Sequence, residues 1–197
     1  MLTSALLDPC HQYYFRDAFS RYEMHRTVKD LTGDGGILWR LNRPRIGSIP
    51  KLFVRSDSPQ NWGELISTGY VLEVKELAEE KGRFSEGSIM PFQIECSPSK
   101  KHRKQRRFLK EPAEQTDWFR RAGLRYGFYL ELCHPTAYSK SSFDRDGEDI
   151  ILYTVGLHGI LTVTNVNLFS QALDNGIGPG KAFGAGLLLV HIDGVKV

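Results

Sequence analysis

The sequence lacks the features that define several classes of protein. Its three cysteines, Cys10, Cys96 and Cys133, are odd in number, lie far apart and form no C-x-x-C motif. This argues against a disulfide scaffold, a thiolate zinc site and a secreted origin. The first ten residues contain no Lys or Arg and reach Asp8 almost at once, unlike a signal peptide. We therefore expect a soluble protein of the reducing cytoplasm.

The chain also has no long hydrophobic run. Its longest stretch without a charged residue, from Ile150 to Leu173, is interrupted by Asn, Gln and His, which predicts packed strands and no membrane span. A length of 197 residues allows one large domain or two small ones. The 25% charged and 41% apolar residues are typical of a globular chain.

Motifs for metal binding or serine hydrolysis are missing as well. No spacing of His, Asp and Glu suggests a metal site, and there is no G-x-S-x-G motif. We expect no metal ion and no small-molecule cofactor. Any phosphodiester chemistry would then be general acid–base catalysis, with the 2′-hydroxyl of RNA as the nucleophile.

Positive charge is concentrated in one segment. Ten basic and three acidic residues fall between Lys100 and Arg125, a net charge of +7, while the rest of the chain carries −4. Such a segment suits a polyanionic partner, although a solvated loop without a ligand is the alternative.

The hydrophobic pattern predicts two similar halves in the order βαββαβ. Each half would fold as a ferredoxin-like α+β domain, a four-stranded antiparallel sheet with two helices on one face. We place the domains at 1–85 and 86–197, with a linker at 81–88. In the first half we expect a polar loop after the first strand, and a capping box at Ser20 and Glu23 that starts a helix. The expected elements are strand 1–7, helix 20–31, strands 37–41 and 51–55, helix 61–66 and strand 70–74.

The second half is predicted to repeat this order less regularly. Its long strand is expected to break at Gly156 and Gly159, and a polar excursion at 140–149 precedes that strand. The expected elements are strand 89–96, helix 111–121, strands 128–132 and 150–163, helix 167–174 and strand 187–192.

The helix after Ser20 carries a candidate catalytic group. At 100° per residue, Tyr22, His25, Arg26 and Lys29 share one broad face, while the apolar stripe lies on a different side. Between two cations the protonated form of His25 is disfavoured, which predicts a neutral imidazole able to accept a proton. A surface helix with one ordinary histidine is the alternative.

A glycine-rich loop near the carboxyl end is the second candidate. Residues 176–186 read GIGPGKAFGAG, which matches neither a P-loop nor a dinucleotide-binding loop. Its backbone can approach a ligand closely, with Lys181 as a cation and Phe183 as an anchor, or it can serve as a tightly packed turn. Its glycines are Gly176, Gly178, Gly180, Gly184 and Gly186.

These motifs resemble the CasE family, the CRISPR RNA-processing endoribonucleases of type I-E systems. The resemblance rests on YEMHRTV at 22–28, ILWRL at 37–41, PAEQTDW at 112–118 and GIGPGKAFGAGLL at 176–188. It implies two tandem ferredoxin-like domains and metal-independent cleavage of the repeat hairpin in precursor CRISPR RNA. The products would be a 2′,3′-cyclic phosphate and a 5′-hydroxyl, and the mature guide RNA would stay bound within the Cascade complex.

The resemblance also implies roles for individual residues. His25 matches the catalytic histidine, as base or as acid, and Tyr22 matches the assisting tyrosine. Arg26 and Lys29 are candidate phosphate or transition-state contacts, and Lys29 is offset from the second cation of some relatives. The expected RNA-binding cations are Lys100, Lys101, Arg103, Lys104, Arg106, Arg107, Lys140, Arg145 and Lys181.

One strand departs from the family pattern. Where relatives often have a basic strand, this chain has FQIECSP at 92–98, and Glu95 stands in place of an arginine. Two other functions remain open at this point. A non-catalytic RNA-binding subunit would need no Tyr22–His25 pair, and a ribonucleoprotein component unrelated to CRISPR would leave the glycine-rich end unexplained.

Overall fold

The computed structural model describes residues 1–33, 35–42, 48–77, 82–102, 105–145 and 147–191. Strands of the first half form one antiparallel sheet in the order β2-β3-β1-β4, the strand order of a ferredoxin-like fold. The elements are β1 (Leu2–Leu7), α1 (Gln12–Phe19), α2 (Arg21–Thr32), β2 (Ile37–Asn42), β3 (Lys51–Ser56), α3 (Gly63–Ser67) and β4 (Val71–Leu77).

The second half repeats the arrangement with two added hairpins. Its sheet has the order β11-β5-β10-β8, β9 pairs with β10, and β6 pairs with β7. The predicted pair of ferredoxin-like folds is thus confirmed, while a boundary at residue 85 stays a prediction. The elements are β5 (Ile89–Cys96), β6 (Ser99–His102), β7 (Gln105–Phe108), α4 (Pro112–Tyr126), β8 (Phe128–Pro135), β9 (Ser139–Arg145), β10 (Glu148–Val163), α5 (Val166–Asn175), a 3-10 turn (Lys181–Phe183) and β11 (Leu188–Val190).

Helix α1 occupies the segment that the sequence predicts as a polar loop, so that prediction is wrong. The buried carboxylate of Asp17 accepts hydrogen bonds from Thr27 Oγ1 on α2 (2.9 Å) and Tyr70 Oη before β4 (3.0 Å). Burial raises the pKa of Tyr70, and the neighbouring carboxylate raises it further. Tertiary hydrogen bonds hold this helix, and the local pattern alone does not reveal them.

Two glycine positions in the second half mark close packing. Strand β10 continues through Gly159, where an added Cβ would lie 1.9 Å from the carbonyl oxygen of Leu132 on β8. The predicted break of this strand is therefore wrong. Helix α4 continues five residues past the predicted end, and within this extension a Cβ at Gly123 would lie 2.6 Å from the carbonyl oxygen of Phe128.

Helix α2 starts with half of the predicted capping box. Ser20 Oγ accepts a hydrogen bond from the Glu23 amide (3.3 Å), but the Ser20 amide donates to the carbonyl of Arg16. The Glu23 carboxylate therefore does not complete the box and lies 3.4 Å from Arg26 Nη1.

A third apolar cluster joins the two halves. It combines Leu38 and Phe53 of the first sheet with Leu187 and Leu189 beside the second, among others. An ion pair between Arg55 and Asp174 (3.6 Å) also spans the halves. In the predicted linker, Phe84 is buried in the core of the second half, whereas Gly82, Arg83 and residues 85–87 are exposed. Among described residues, no helix has the length and apolar character needed to cross a membrane.

Candidate functional site

Helix α2 has one buried face and one face that borders a cleft. Met24 and Val28 are fully buried in the core of the first half, as the sequence predicts. The opposite side carries the half-buried His25 and the exposed Arg26 and Lys29. The structure brings these side chains together on one side of α2, and their chemical roles remain predictions.

The cleft beside this helix has a volume of about 350 Å³, and we call it the helix cleft. Asp30 adds one carboxylate to a wall that otherwise carries two cations. The ring of Phe183 lies 6.4 Å from that of His25, centroid to centroid, in an edge-on arrangement. The lining residues are Tyr22, His25, Arg26, Lys29, Asp30, Ala182 and Phe183.

The glycine-rich loop forms the second wall of the helix cleft. Trp39 Nε1 on β2 donates a hydrogen bond to the carbonyl of Ala182 (3.1 Å). Gly184 has φ +78°, and a Cβ there would lie 2.5 Å from the Trp39 ring, so a larger residue is excluded by both conformation and space. The glycines permit tight packing of the loop on the first half, which was one of the two open interpretations.

Arg21 links helix α2 to this loop and to the second sheet. Its guanidinium donates to the carbonyl of Phe183 (2.8 Å), to Ser141 Oγ (3.2 Å) and to the Glu95 carboxylate, with which it also forms an ion pair. Thr154 Oγ1 donates to the same carboxylate at 2.7 Å. The side chains of Arg21 and Glu95 are only 12% and 20% exposed. Arg21 lies on the same helix as His25 and donates to the carbonyl of Phe183. These contacts therefore hold His25 and Phe183 in a fixed relative position.

Arg40 on β2 is a second cation near Glu95. Burial lowers the pKa of Arg40, and the Glu95 carboxylate counters part of that shift. Glu95 thus compensates charge from two arginines, which explains why an acid occupies this strand position. The Glu95 carboxylate lies where the two halves meet, since Glu95 is in the second half and Arg21 is in the first.

The ribbon formed by β9 and β10 separates this network from the basic segment. Alternate residues point to opposite faces of a strand. On one face, Ser141 and Thr154 bond to the Arg21–Glu95 network. On the other face, the rings of Tyr138 and Tyr153 lie 5.6 and 5.3 Å from the ring of Phe108 on β7. The ribbon therefore presents one face to the Arg21–Glu95 network and the other to Phe108 of the basic hairpin.

The second cleft lies between this ribbon and the basic hairpin, β6–β7. We call it the hairpin pocket; it has a volume of about 620 Å³. Six of its lining residues come from 97–110, three are Ile151, Leu152 and Tyr153, and the last is Pro179 of the glycine-rich loop. The structure places Arg106 and Arg107 here and not in the helix cleft.

The other predicted cations are dispersed. Lys100 pairs with Glu114 on α4 (3.1 Å), Lys140 is exposed on β9, and Lys181 is half-buried in the 3-10 turn. Lys101 lies on β6 and Arg145 ends β9. The predicted contacts Arg103 and Lys104 lie outside the described residues.

Comparison with known proteins identifies the family. A family model described as "CRISPR associated protein" matches residues 1–191. The chain belongs to this family. The CRISPR-associated endoribonuclease Cse3 of Thermus thermophilus is 28% identical over 210 residues, which cover 96% of this chain and 98% of that protein. The Cascade subunit CasE of Escherichia coli K12 is 34% identical over 80 residues, 41% of this chain and 40% of that protein.

A solved structure extends this likeness to three dimensions. The structure of Thermus thermophilus Cse3 bound to an RNA that represents a pre-cleavage complex matches with a TM-score of 0.85 and 27% identity. The match covers 97% of this chain and 98% of that chain. The resemblance to the CasE family is thereby confirmed.

Several site residues of this CasE family member were missed in the sequence. Asp30 lines the helix cleft, and Arg21 and Glu95 tie its walls together. The spacing on α2 places Asp30 beside Arg26, which is a usable signal, but no local pattern connects Arg21 with Glu95, 74 residues away. Among the described residues, no group of three His, Cys, Asp or Glu side chains is arranged to hold a metal ion.

Proposed function

We propose that this protein is an endoribonuclease that cleaves the repeat hairpin of precursor CRISPR RNA. The proposal rests on one observation: four side chains of α2 line the same cleft, together with Phe183 of the glycine-rich loop. The four are Tyr22, His25, Arg26 and Lys29. Membership of the family and the similarity to Cse3 support the same activity.

Cleavage proceeds by attack of the RNA's own 2′-oxygen on the adjacent phosphorus. The 2′-hydroxyl loses its proton, the bond to the 5′-oxygen breaks, and that oxygen gains a proton. The products are a 2′,3′-cyclic phosphate and a 5′-hydroxyl. His25 performs one of the two proton transfers, and Tyr22 positions the reacting group.

The cations of the cleft suit the charge that develops during this reaction. Arg26 and Lys29 stabilise the additional negative charge on the phosphoryl oxygens. No step in this scheme requires a metal ion. The mature guide RNA then stays bound through the basic segment, and the protein acts in the cytoplasm as a subunit of Cascade; the CasE relative is named a Cascade subunit.

The decisive experiment incubates a labelled repeat hairpin with the protein in excess chelator and then determines the product ends. We expect cleavage to persist and to leave cyclic-phosphate ends. A 2′-deoxy nucleotide immediately upstream of the cut should abolish cleavage without weakening binding, because only the nucleophile is removed. A 5′-phosphate product or strict magnesium dependence would contradict the mechanism. Binding without any cleavage would favour a non-catalytic RNA-binding subunit.

A further inference from the structure

We propose that the hairpin pocket binds the base of one unpaired nucleotide of the RNA, a few nucleotides from the scissile phosphate. This inference rests on the proposed function and adds a second, base-binding site to it. The pocket's volume of about 620 Å³ lies within the range of about 300–1,000 Å³ that is usual for small-ligand sites.

Aromatic side chains give this pocket its affinity for a planar group. The rings of Phe108 and Tyr153 stack at 5.3 Å with an interplanar angle of 21°. Ile151, with 54% of its surface exposed, extends the apolar wall. A base within a duplex is already stacked on both faces, whereas an unpaired base has a free face for an aromatic ring. The pocket therefore favours an unpaired nucleotide.

The charge of the pocket fits the phosphates that flank such a base. Arg106, Arg107 and Lys110 contribute to its lining, and no Asp or Glu is among the described lining residues. Lys140 on β9 lies directly opposite Tyr153 in the strand register, so the two side chains share a face of the ribbon. The Oγ of Ser99 is buried here without a hydrogen-bond partner in the described part of the chain.

The glycine-rich loop connects the hairpin pocket to the helix cleft. Pro179 lines the former and Ala182 lines the latter. Three peptide units separate these residues, so their Cα atoms are at most about 11 Å apart. A single strand that places its scissile phosphate beside His25 therefore reaches the hairpin pocket within a few nucleotides.

The test is a scan with abasic nucleotides in a repeat hairpin that a 2′-deoxy substitution makes uncleavable. Each of the four nucleotides on either side of the cut is made abasic in turn, and the affinity is measured. We expect one position, or two adjacent ones, to weaken binding by about 5–150-fold, as the loss of one base–aromatic stack should. In wild-type protein, 2-aminopurine at that position should be quenched on binding, a readout that needs no variant.

Variants of Tyr153 then link that position to the pocket. Tyr153→Ala should weaken binding of the intact hairpin by a similar factor and remove the effect of the abasic substitution, while Tyr153→Phe should preserve both. The loss should not depend on salt, because no phosphate contact is removed. Tyr129→Ala is the matched control, since this exposed tyrosine on β8 lines neither cleft.

The outcomes separate this site from the enzyme's main function. If the hairpin binds tightly and no abasic substitution weakens binding, the base-binding pocket is contradicted while the proposed function stands. The same holds if the abasic substitution weakens binding to Tyr153→Ala as much as to the wild-type protein. Failure of the wild-type protein to bind the intact hairpin contradicts the proposed function, and the pocket with it.

Discussion

The helix cleft and the hairpin pocket are built in different ways. The walls of the helix cleft come from α2 and from the glycine-rich loop, about 150 residues apart in the chain. They are fixed by Arg21, Trp39 and Glu95, which bond across the two halves. The hairpin pocket lies within the second half, and most of its lining comes from one continuous segment.

This difference matches the demands of the two tasks. In acid–base catalysis a misplacement of about 1 Å can cost about 10²-fold in rate, and a helix held by contacts to both halves limits such movement. Binding of an RNA backbone tolerates looser geometry, because phosphate contacts depend mainly on charge. We therefore expect mutations in the helix cleft to change the cleavage rate and mutations of the basic hairpin to change affinity.

The largest effect on the cleavage rate is expected for His25→Ala. The loss of a positioned acid–base group should slow single-turnover cleavage by about 10²–10⁴-fold, while hairpin affinity stays within a few-fold. His134→Ala is the matched control, since this exposed histidine lies on β8. An active His25→Ala enzyme would show that the chemistry resides elsewhere.

A smaller loss of rate is expected for Arg21→Lys. One ammonium cannot reproduce the planar set of donors that contacts Glu95, Ser141 and the Phe183 carbonyl. Misplacement of the cleft walls should slow single-turnover cleavage by about 10–100-fold at saturating enzyme. The exposed Arg125→Lys on α4 serves as the control.

Affinity and thermal stability should be measured alongside the Arg21 variant. A lower rate with unchanged affinity supports a positioning role for Arg21. If the melting temperature, the affinity and the rate all fall together, the variant has instead lost structure in general.

The smallest effect on rate is expected when Lys101, Arg103, Arg106 and Arg107 are changed together to Ser. Each lost phosphate contact should flatten the plot of log affinity against log salt by about 0.7–0.9, while single-turnover cleavage at saturating enzyme stays near wild type. The measurement is a salt titration of hairpin binding.

The control for this variant carries the same loss of charge at a different place, with four cations outside residues 100–125 changed to Ser: Lys51, Lys75, Lys81 and Arg83. If the slope is unchanged in the test variant, or falls equally in both, the basic segment is a solvated surface. The RNA contact would then move to Arg26, Lys181 and the β9–β10 ribbon.

Much of the fold follows from local patterns in the sequence. The strand at 89–96 and the helix that begins near Ser20 are predicted well, since alternating burial and helical periodicity are properties of short segments. The grouping of Tyr22, His25, Arg26 and Lys29 follows from the same periodicity.

The remaining features depend on contacts between distant residues. Helix α1 is held by the buried Asp17, whose partners lie on other elements. Gly159 interrupts the strand pattern, yet it is required by the close approach of β8. Glu95 departs from the family pattern because Arg21 is its partner across the two halves. No window of neighbouring residues contains these interactions.

Side chains alternate between the two faces of the β9–β10 ribbon, and this limits which insertions the protein can tolerate. One added residue ahead of Tyr153 in β10 would shift the pairing register and exchange the two faces. The ring of Tyr153 would then turn toward Arg21, and the hydroxyl of Thr154 would turn toward the basic hairpin. Two added residues would leave each face where it is. The ribbon can therefore lengthen or shorten only in pairs of residues without disturbing the Arg21–Glu95 network and the hairpin pocket together.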